Sequence, residues 1–183
     1  MELEGLIQKI ANKRTVVMGI GNEENGDDAA GPFFASLFED RLRKNEINPE
    51  RLMVINGERA PENFTGKIRK ISPEIVVLVD AAYLGKGKKV GDVEFFSFKE
   101  GDKGVNLFGG GLTTHAMPIS FLVDYLLSFV KEVYVIAIHV ENLEKFSKMS
   151  NEVREKVELL VDLMISILGN LCSIPKLLPL GEK

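Results

Sequence analysis

The segment Thr15–Pro32 reads TVVMGIGNEENGDDAAGP, and its order of residue types decides the fold. Its first part is a run of β-branched and aliphatic residues, which predicts a buried strand over Thr15–Ile20. Its last part begins a segment, Ala29–Lys44, whose pattern predicts a helix. A glycine-containing loop joins the two, and a loop in this place commonly binds a phosphate. This loop instead holds four carboxylates within six residues, so its ligand has to be identified from the surrounding sequence.

The rest of the chain alternates strand and helix patterns in the same way. Continuous aliphatic runs predict four strands buried on both faces, as in a parallel sheet covered by helices: Thr15–Ile20, Leu52–Asn56, Ile75–Asp80 and Val133–His139. An alternating pattern predicts an edge strand over Val93–Phe98, antiparallel to its neighbour. The other predicted helices are Glu62–Lys70, Pro118–Phe129 and Asn151–Leu168.

This alternation implies βαβ units, and therefore an α/β fold with three layers, α/β/α, a mostly parallel sheet and right-handed crossovers. A chain of 183 residues is long enough for one well-buried core and short for two. We therefore expect a single domain over residues 1–172. Residues 173–183 contain two prolines and are predicted to form a C-terminal tail. The leucines of this tail could dock on the domain or on a partner.

The composition argues against several classes of partner. The net charge of −4 disfavours binding to nucleic acid or to an acidic membrane surface, because both need clustered Lys and Arg. No apolar run reaches the roughly 20 residues that span a bilayer, so we expect no membrane insertion. The single cysteine, Cys172, forms no internal disulfide, and the first residues lack the pattern of an export signal. We therefore expect a cytoplasmic protein.

The loop after the first strand does not match the phosphate-binding motifs. A Rossmann fingerprint would use Gly19 and Gly21 but needs a third glycine where the chain has Glu24. Gly21 and Gly26 have the spacing of a Walker A motif, yet two aspartates follow where that motif has Lys and Ser or Thr. We therefore expect no nucleotide or other organic cofactor.

Two interpretations of the aspartates remain open at this point. Asp27 or Asp28 can cap the first turn of the following helix and complement its dipole. Alternatively, the loop offers oxygen ligands to a cation, together with Asp80, which ends the strand over Ile75–Val79. Ligands in open α/β sheets bind at the carboxyl ends of the strands, so Asp28 and Asp80 are predicted at one edge. Taken alone, an acid that closes a buried strand, such as Asp80, is more often a residue that turns the loop or caps a helix.

A histidine supplies a third candidate ligand. His115 lies in the segment GGGLTTHAMP, residues 109–118, where glycines permit close approach and a threonine can cap the next helix. Taken alone, it is also explained as a structural hydrogen-bonding residue. Two carboxylates and one imidazole at one sheet edge suit a borderline divalent metal such as nickel or zinc. Three protein donors would leave the remaining positions to water or to a substrate.

The motifs around these residues resemble those of the nickel-iron hydrogenase maturation endopeptidases, most closely the type that serves hydrogenase-3-like enzymes. The similar motifs occur in the same order as in that family and span residues 15–170. They are GIGN at 19–22, GDDAAGP at 26–32, NGERAPEN at 56–63, VDA at 79–81 and TTHAMP at 113–118. Each motif is short, and the set is what identifies the family.

The resemblance implies a twisted five-stranded sheet and a site in which Asp28, Asp80 and His115 contact nickel. It implies that the enzyme removes a C-terminal peptide from the large-subunit precursor of a hydrogenase after nickel insertion. The metal then belongs to the substrate and reports that the precursor is loaded. Nickel would polarise the scissile carbonyl, and Asp28 or Asp80 would orient the attacking water as the catalytic carboxylate.

Other residues are expected to contact the precursor. Gly21 lets its chain approach, with Asn22 and Thr114 beside it. His139 stands where this type is expected to have glutamine, and is interpreted as a fourth metal contact, a substrate contact or a structural residue. A monomer is favoured. The alternative function is a noncatalytic nickel-sensing assembly factor, which would hold the same metal without cutting the precursor.

Overall fold

The computed structural model describes residues 3–47, 50–102 and 119–173. Its strands are β1 (Thr15–Ile20), β2 (Leu52–Asn56), β3 (Ile75–Ala82), β4 (Val93–Lys99) and β5 (Glu132–His139). Its helices are α1 (Leu3–Asn12), α2 (Ala30–Lys44), α3 (Thr65–Ile71), α4 (Ile119–Leu127) and α5 (Asn151–Ser173). Short 3-10 turns over Gly26–Ala29 and Pro61–Phe64 precede α2 and α3.

The five strands form one sheet in the order β2-β1-β3-β5-β4. Four strands are parallel, and β4 pairs antiparallel with β5 at one edge. One apolar core lies between the sheet and α1, α2 and α5, and a second lies between the other face and α3 and α4. The predicted three-layer fold, with its antiparallel edge strand, is confirmed.

Burial on both faces, predicted for four strands, holds for β1 and β3 and nearly throughout β5, but the prediction was wrong for β2. Strand β2 lies at the free edge of the sheet and pairs only with β1. Ile55 is its one buried residue, and Met53 is 37% exposed. An aliphatic run of five residues fits either a central or an edge strand, so its sequence does not distinguish the two.

Helix boundaries differ from the prediction at both ends of the chain. Helix α1 was not predicted, yet it buries Leu6, Ile7 and Ile10 against the core that also contains α2 and α5. Helix α5 continues five residues beyond the predicted end at Leu168 and passes the expected domain boundary at 172. The tail from residue 174 onward lies outside the described residues.

Helix α2 contacts the end of β1 directly through the backbone, at two glycines. A Cβ on Gly19 would lie 1.9 Å from the carbonyl oxygen of Gly31 in α2. A Cβ on Gly31 would lie 2.1 Å from the carbonyl oxygen of Ile20. Neither glycine therefore accepts a side chain without movement of the helix or the strand. This close contact fixes the start of α2, and the acidic loop before it, over the carboxyl end of β1.

A cluster of charged side chains lies at the amino end of the sheet, around Glu132. Glu132, at the start of β5, accepts hydrogen bonds from Lys9 (2.5 Å) and Lys13 (2.8 Å), as well as from the hydroxyl of Tyr134. Burial alone would raise the pKa of Glu132, but these hydrogen bonds outweigh it and lower the pKa to about 2. The cluster ties α1 to β5, since Lys9 belongs to the helix.

Candidate active site

Buried polar groups concentrate at the carboxyl edge of the sheet. In the described part of the chain, five polar or charged residues are buried: Thr15, Asp27, Asp28, Asp80 and His139. All but Thr15 lie at the carboxyl end of a strand or in the loop that follows one. Burying a polar group costs free energy unless it is compensated, so a concentration of such groups marks a candidate functional site.

Asp28 lies in the 3-10 turn that leads into α2 and is 3% exposed. Its Oδ2 accepts the backbone N–H of Asn22 at 3.1 Å, which closes the acidic loop on itself. Helix α2 begins after Ala29 and has no side-chain cap. The interpretation of Asp27 or Asp28 as a side-chain cap of α2 was therefore wrong, because the N-cap position is Ala29 and no side-chain hydrogen bond caps the helix.

Asp27 instead holds the start of α5. Its Oδ1 accepts the backbone N–H of Ser150 at 2.7 Å, immediately before the helix begins at Asn151. A carboxylate in this place also complements the dipole of α5. Its Oδ2 has no hydrogen-bond partner within 3–47, 50–102 and 119–173. This long-range contact explains why an aspartate stands at position 27, and no local pattern in the sequence indicates it.

Asp80 lies at the same edge as Asp28. It belongs to β3 and pairs in register with Ile20, the last residue of β1. The turn that contains Asp28 contacts β3, and Asp80 is 5% exposed. The parallel register of β1 and β3 therefore brings the two predicted carboxylates to one edge of the sheet.

His115 and Thr114 lie outside the described residues. Within the residues that the structure does describe, no group of three or more His, Cys, Asp and Glu side chains forms a metal site. Of the three predicted donors, Asp28 and Asp80 lie within the described residues, and the three-donor site stays a prediction.

His139 ends β5 and is fully buried. Its Nδ1 accepts the backbone N–H of Leu84 at 2.9 Å, and the ring of Tyr83 packs against it at 5.2 Å between centroids. A neutral imidazole whose Nδ1 accepts a hydrogen bond carries its proton on Nε2, and so has no free lone pair there for a metal. The geometry favours a structural role for His139 over a fourth metal contact.

A polar cleft of about 310 Å³ opens beside the acidic loop. Its lining comes from the loop after β1 and the loop after β2, and consists of Gly21, Asn22, Glu23, Glu24, Asn56, Glu58 and Arg59. The carbonyl of Glu58 accepts the N–H of Gly21 at 2.9 Å, and the Asn56 amide donates to Glu23 at 3.0 Å. The sequence motif at 56–63 carries no predicted role, and the structure places its first residues in the wall of this cleft.

Gly21 also has an internal role. Its φ is +147°, and a Cβ here would lie 1.9 Å from the carbonyl oxygen of Asp28. A residue with a side chain would therefore push away the turn that carries the carboxylate. The requirement for glycine is explained by the chain's own packing, without a partner.

The chemistry available at this edge is that of paired carboxylates. Ionised Asp28 and Asp80 can provide oxygen donors to a divalent cation and can accept a proton from a water molecule. Hydrolysis of a peptide with the help of a metal needs both functions.

In the described segments, no helix is long and apolar enough to cross a membrane.

Comparison with known proteins gives a consistent result. A family model described as hydrogenase maturation protease matches residues 38–167. A protein of Methanocaldococcus jannaschii, named provisionally as a hydrogenase maturation protease, is 31% identical over 172 residues, which cover 92% of this chain and 96% of that one. The hydrogenase 3 maturation protease of Escherichia coli K12 is 29% identical over 78% of this chain and 83% of its own length.

A solved structure extends the similarity to three dimensions. The crystal structure of a NiFe hydrogenase maturation protease from Thermococcus kodakarensis superposes with a TM-score of 0.71 and 26% identity, covering 90% of this chain and 98% of that one.

The fold is thus that of a three-layer α/β protein, with two buried carboxylates at the carboxyl edge of its sheet. The chain belongs to the hydrogenase maturation protease family, because the family model matches more than half of it. It is accordingly a peptidase that acts in hydrogenase maturation.

Proposed function

We propose that this enzyme removes a C-terminal peptide from the nickel-loaded large-subunit precursor of a nickel-iron hydrogenase. The observation that carries the proposal is the pair of buried carboxylates, Asp28 and Asp80, which the parallel strands β1 and β3 bring to one edge. Family membership supplies the substrate class, since the Thermococcus kodakarensis relative is a NiFe hydrogenase maturation protease.

Nickel enters this reaction as part of the substrate. Asp28 and Asp80, with His115, would contact the metal that the precursor presents, and a bound metal can polarise the scissile carbonyl. A water molecule adds to the carbonyl carbon and gives a proton to Asp28 or Asp80. The C–N bond then breaks, and the leaving amine receives that proton. No organic cofactor takes part in this scheme.

Binding of the precursor would use the residues around the carboxylates. Gly21 and Asn22 line the polar cleft, and Thr114 is proposed to lie beside it. His139 would act on the substrate only through the residues that it supports, because its ring is fully buried. The enzyme is proposed to work as a monomer in the cytoplasm.

Mass spectrometry of the precursor tests this proposal. Wild-type enzyme incubated with the nickel-loaded precursor should release one C-terminal peptide, whereas Asp28→Asn and Asp80→Asn should slow release at least about a hundredfold. These changes keep the shape of the side chain, and the amide introduced by Asp28→Asn would retain an oxygen for the Asn22 N–H. Asp162→Asn on the exposed face of α5 is the matched control and should cleave normally.

The same measurement distinguishes the assembly-factor alternative. A nickel-sensing factor would bind the loaded precursor and release no peptide. Stable binding without any cleavage of a verified cognate precursor would therefore replace the protease proposal by that alternative.

A further inference from the structure

An aromatic side chain stands in the solvent beside the acidic loop. Phe146 belongs to the segment 141–150, which follows β5 at the carboxyl edge. It is 85% exposed, more than any other large apolar side chain in the described part of the chain. Leu143 of the same segment is 38% exposed. A single exposed apolar residue is ordinary, so the conformation of Phe146 decides whether it has a role.

The backbone of Phe146 is strained. Its φ is +59°, in the left-handed region that a bulky residue seldom adopts. Three other described non-glycine residues have positive φ, and all of them are polar: Glu46, Glu58 and Ser72. The backbone conformation at Phe146 is unfavourable in free energy, and burial of the ring does not offset it, because the ring is exposed. Strain of this kind, kept at a position next to a site, points to a functional constraint.

Hydrogen bonds connect the segment firmly to the acidic loop. The N–H of Phe146 donates to the carbonyl of Glu24 at 2.6 Å. In the other direction, the N–H of Gly26 donates to the carbonyl of Ser147 at 3.1 Å and that of Asp27 to the carbonyl of Asn142 at 2.9 Å. The backbone at Phe146 is thus tied to the same loop that carries Asp28. A ligand that contacts Phe146 would therefore lie close to the acidic loop.

We propose that Phe146, with Leu143, is the docking residue for an apolar segment of the precursor polypeptide next to the scissile bond. This inference rests on the proposed function. The polar cleft, whose lining includes Glu24, offers a peptide mainly charged and amide groups. An aromatic side chain supplies the apolar contact area that such a cleft lacks, and it has only two torsions to order on binding. The docking residue therefore sets the affinity for the substrate and leaves the chemical step to the carboxylates.

Variants at this position separate docking from folding. Phe146→Asn removes the ring and places at φ +59° a residue that tolerates the left-handed region, so its melting temperature should equal or exceed that of wild type. Phe146→Tyr keeps the ring. Leu159→Asn, at a site on α5 that is 62% exposed, removes a comparable exposed apolar side chain elsewhere. We would measure KM and kcat for precursor cleavage, and the affinity for precursor in an Asp28→Asn background.

The expected result is a rise of at least about tenfold in KM and in Kd for Phe146→Asn, with kcat unchanged. Phe146→Tyr and Leu159→Asn should remain within about twofold of their parents. Wild-type KM and Kd in Phe146→Asn would overturn the inference. So would a change confined to self-association in sedimentation, which would assign the ring to a second copy of the chain.

The affinity measurement keeps this inference separate from the proposed function. If the wild type binds the precursor without cutting it and Phe146→Asn weakens binding, docking stands and the protease proposal fails. If the precursor neither binds nor is cut, both fail.

Discussion

The two ends of the sheet differ in the groups through which a helix contacts a strand. At the amino end, long side chains connect helix and strand, and the half-exposed Lys9 and Lys13 form ion pairs with the partly buried Glu132. At the carboxyl end, α2 meets β1 through the bare backbone of Gly19 and Gly31. Because neither glycine has a side chain, helix and strand approach closely. The loop that joins them contains the buried Asp27 and Asp28. The amino end stabilises the fold through ion pairs, whereas at the carboxyl end Asp27 and His139 accept backbone hydrogen bonds. The other two buried carboxylates there, Asp28 and Asp80, are those proposed to act on the substrate.

The largest effect on folding is expected where the backbones touch. Gly19→Ala would place a Cβ 1.9 Å from the Gly31 carbonyl, so α2 must move off β1. We expect a loss of about 3 kcal/mol or more in the free energy of unfolding, measured by urea denaturation. Gly66→Ala is the control, because a Cβ there meets nothing within 4 Å in α3. It should stabilise the protein by about 0.5–1 kcal/mol. Equal effects of the two changes would refute the close contact.

Glu132→Gln tests the amino end. Because the pKa of Glu132 is about 2 in the folded state and 4.5 ordinarily, its ionised form stabilises the fold above pH 4.5. This stabilisation disappears as the pH falls from 4.5 to about 2. We expect Glu132→Gln to cost about 2 kcal/mol at pH 7, after allowance for the partial exposure of both lysines.

The pH profile makes this prediction specific. Thermal melts between about pH 7 and pH 2 should show a smaller loss of stability in Glu132→Gln than in wild type, and cleavage at neutral pH should be unchanged. A variant that keeps the wild-type profile would show that the acid sensitivity comes from other carboxylates.

A smaller effect is expected at Asp27. Asp27→Ala removes the acceptor of the Ser150 N–H at the start of α5 and should cost about 1 kcal/mol. Asp27→Asn keeps an acceptor oxygen and should cost less. Calorimetry would measure both, with cleavage of the precursor as a second readout. If Asp27→Asn abolished cleavage as Asp28→Asn is expected to, the division between a structural and a catalytic aspartate would be wrong.

Local sequence pattern predicts only some parts of this molecule. The strand, acidic loop and helix over residues 15–44 follow from residue order, and the parallel sheet then places Asp28 and Asp80 at one edge. Helix α1 is also encoded locally, in the spacing of Leu6, Ile7 and Ile10, although the sequence prediction did not include it.

Contacts between distant segments were not predictable in this way. The edge position of β2 depends on which strand pairs with β1, and a short aliphatic run does not encode that choice. The bond from Ser150 to Asp27 joins residues 123 positions apart, so no local pattern reveals it. The same is true of the hydrogen bond that orients His139.

The most direct test of the account compares two forms of one substrate. The precursor large subunit, prepared with and without nickel, would be incubated with wild-type enzyme and with Asp28→Asn, and peptide release followed by mass spectrometry. The account predicts release only from the loaded precursor and only by the wild type. Equal cleavage of both precursor forms would contradict it, because the carboxylates would then cut without reading the metal.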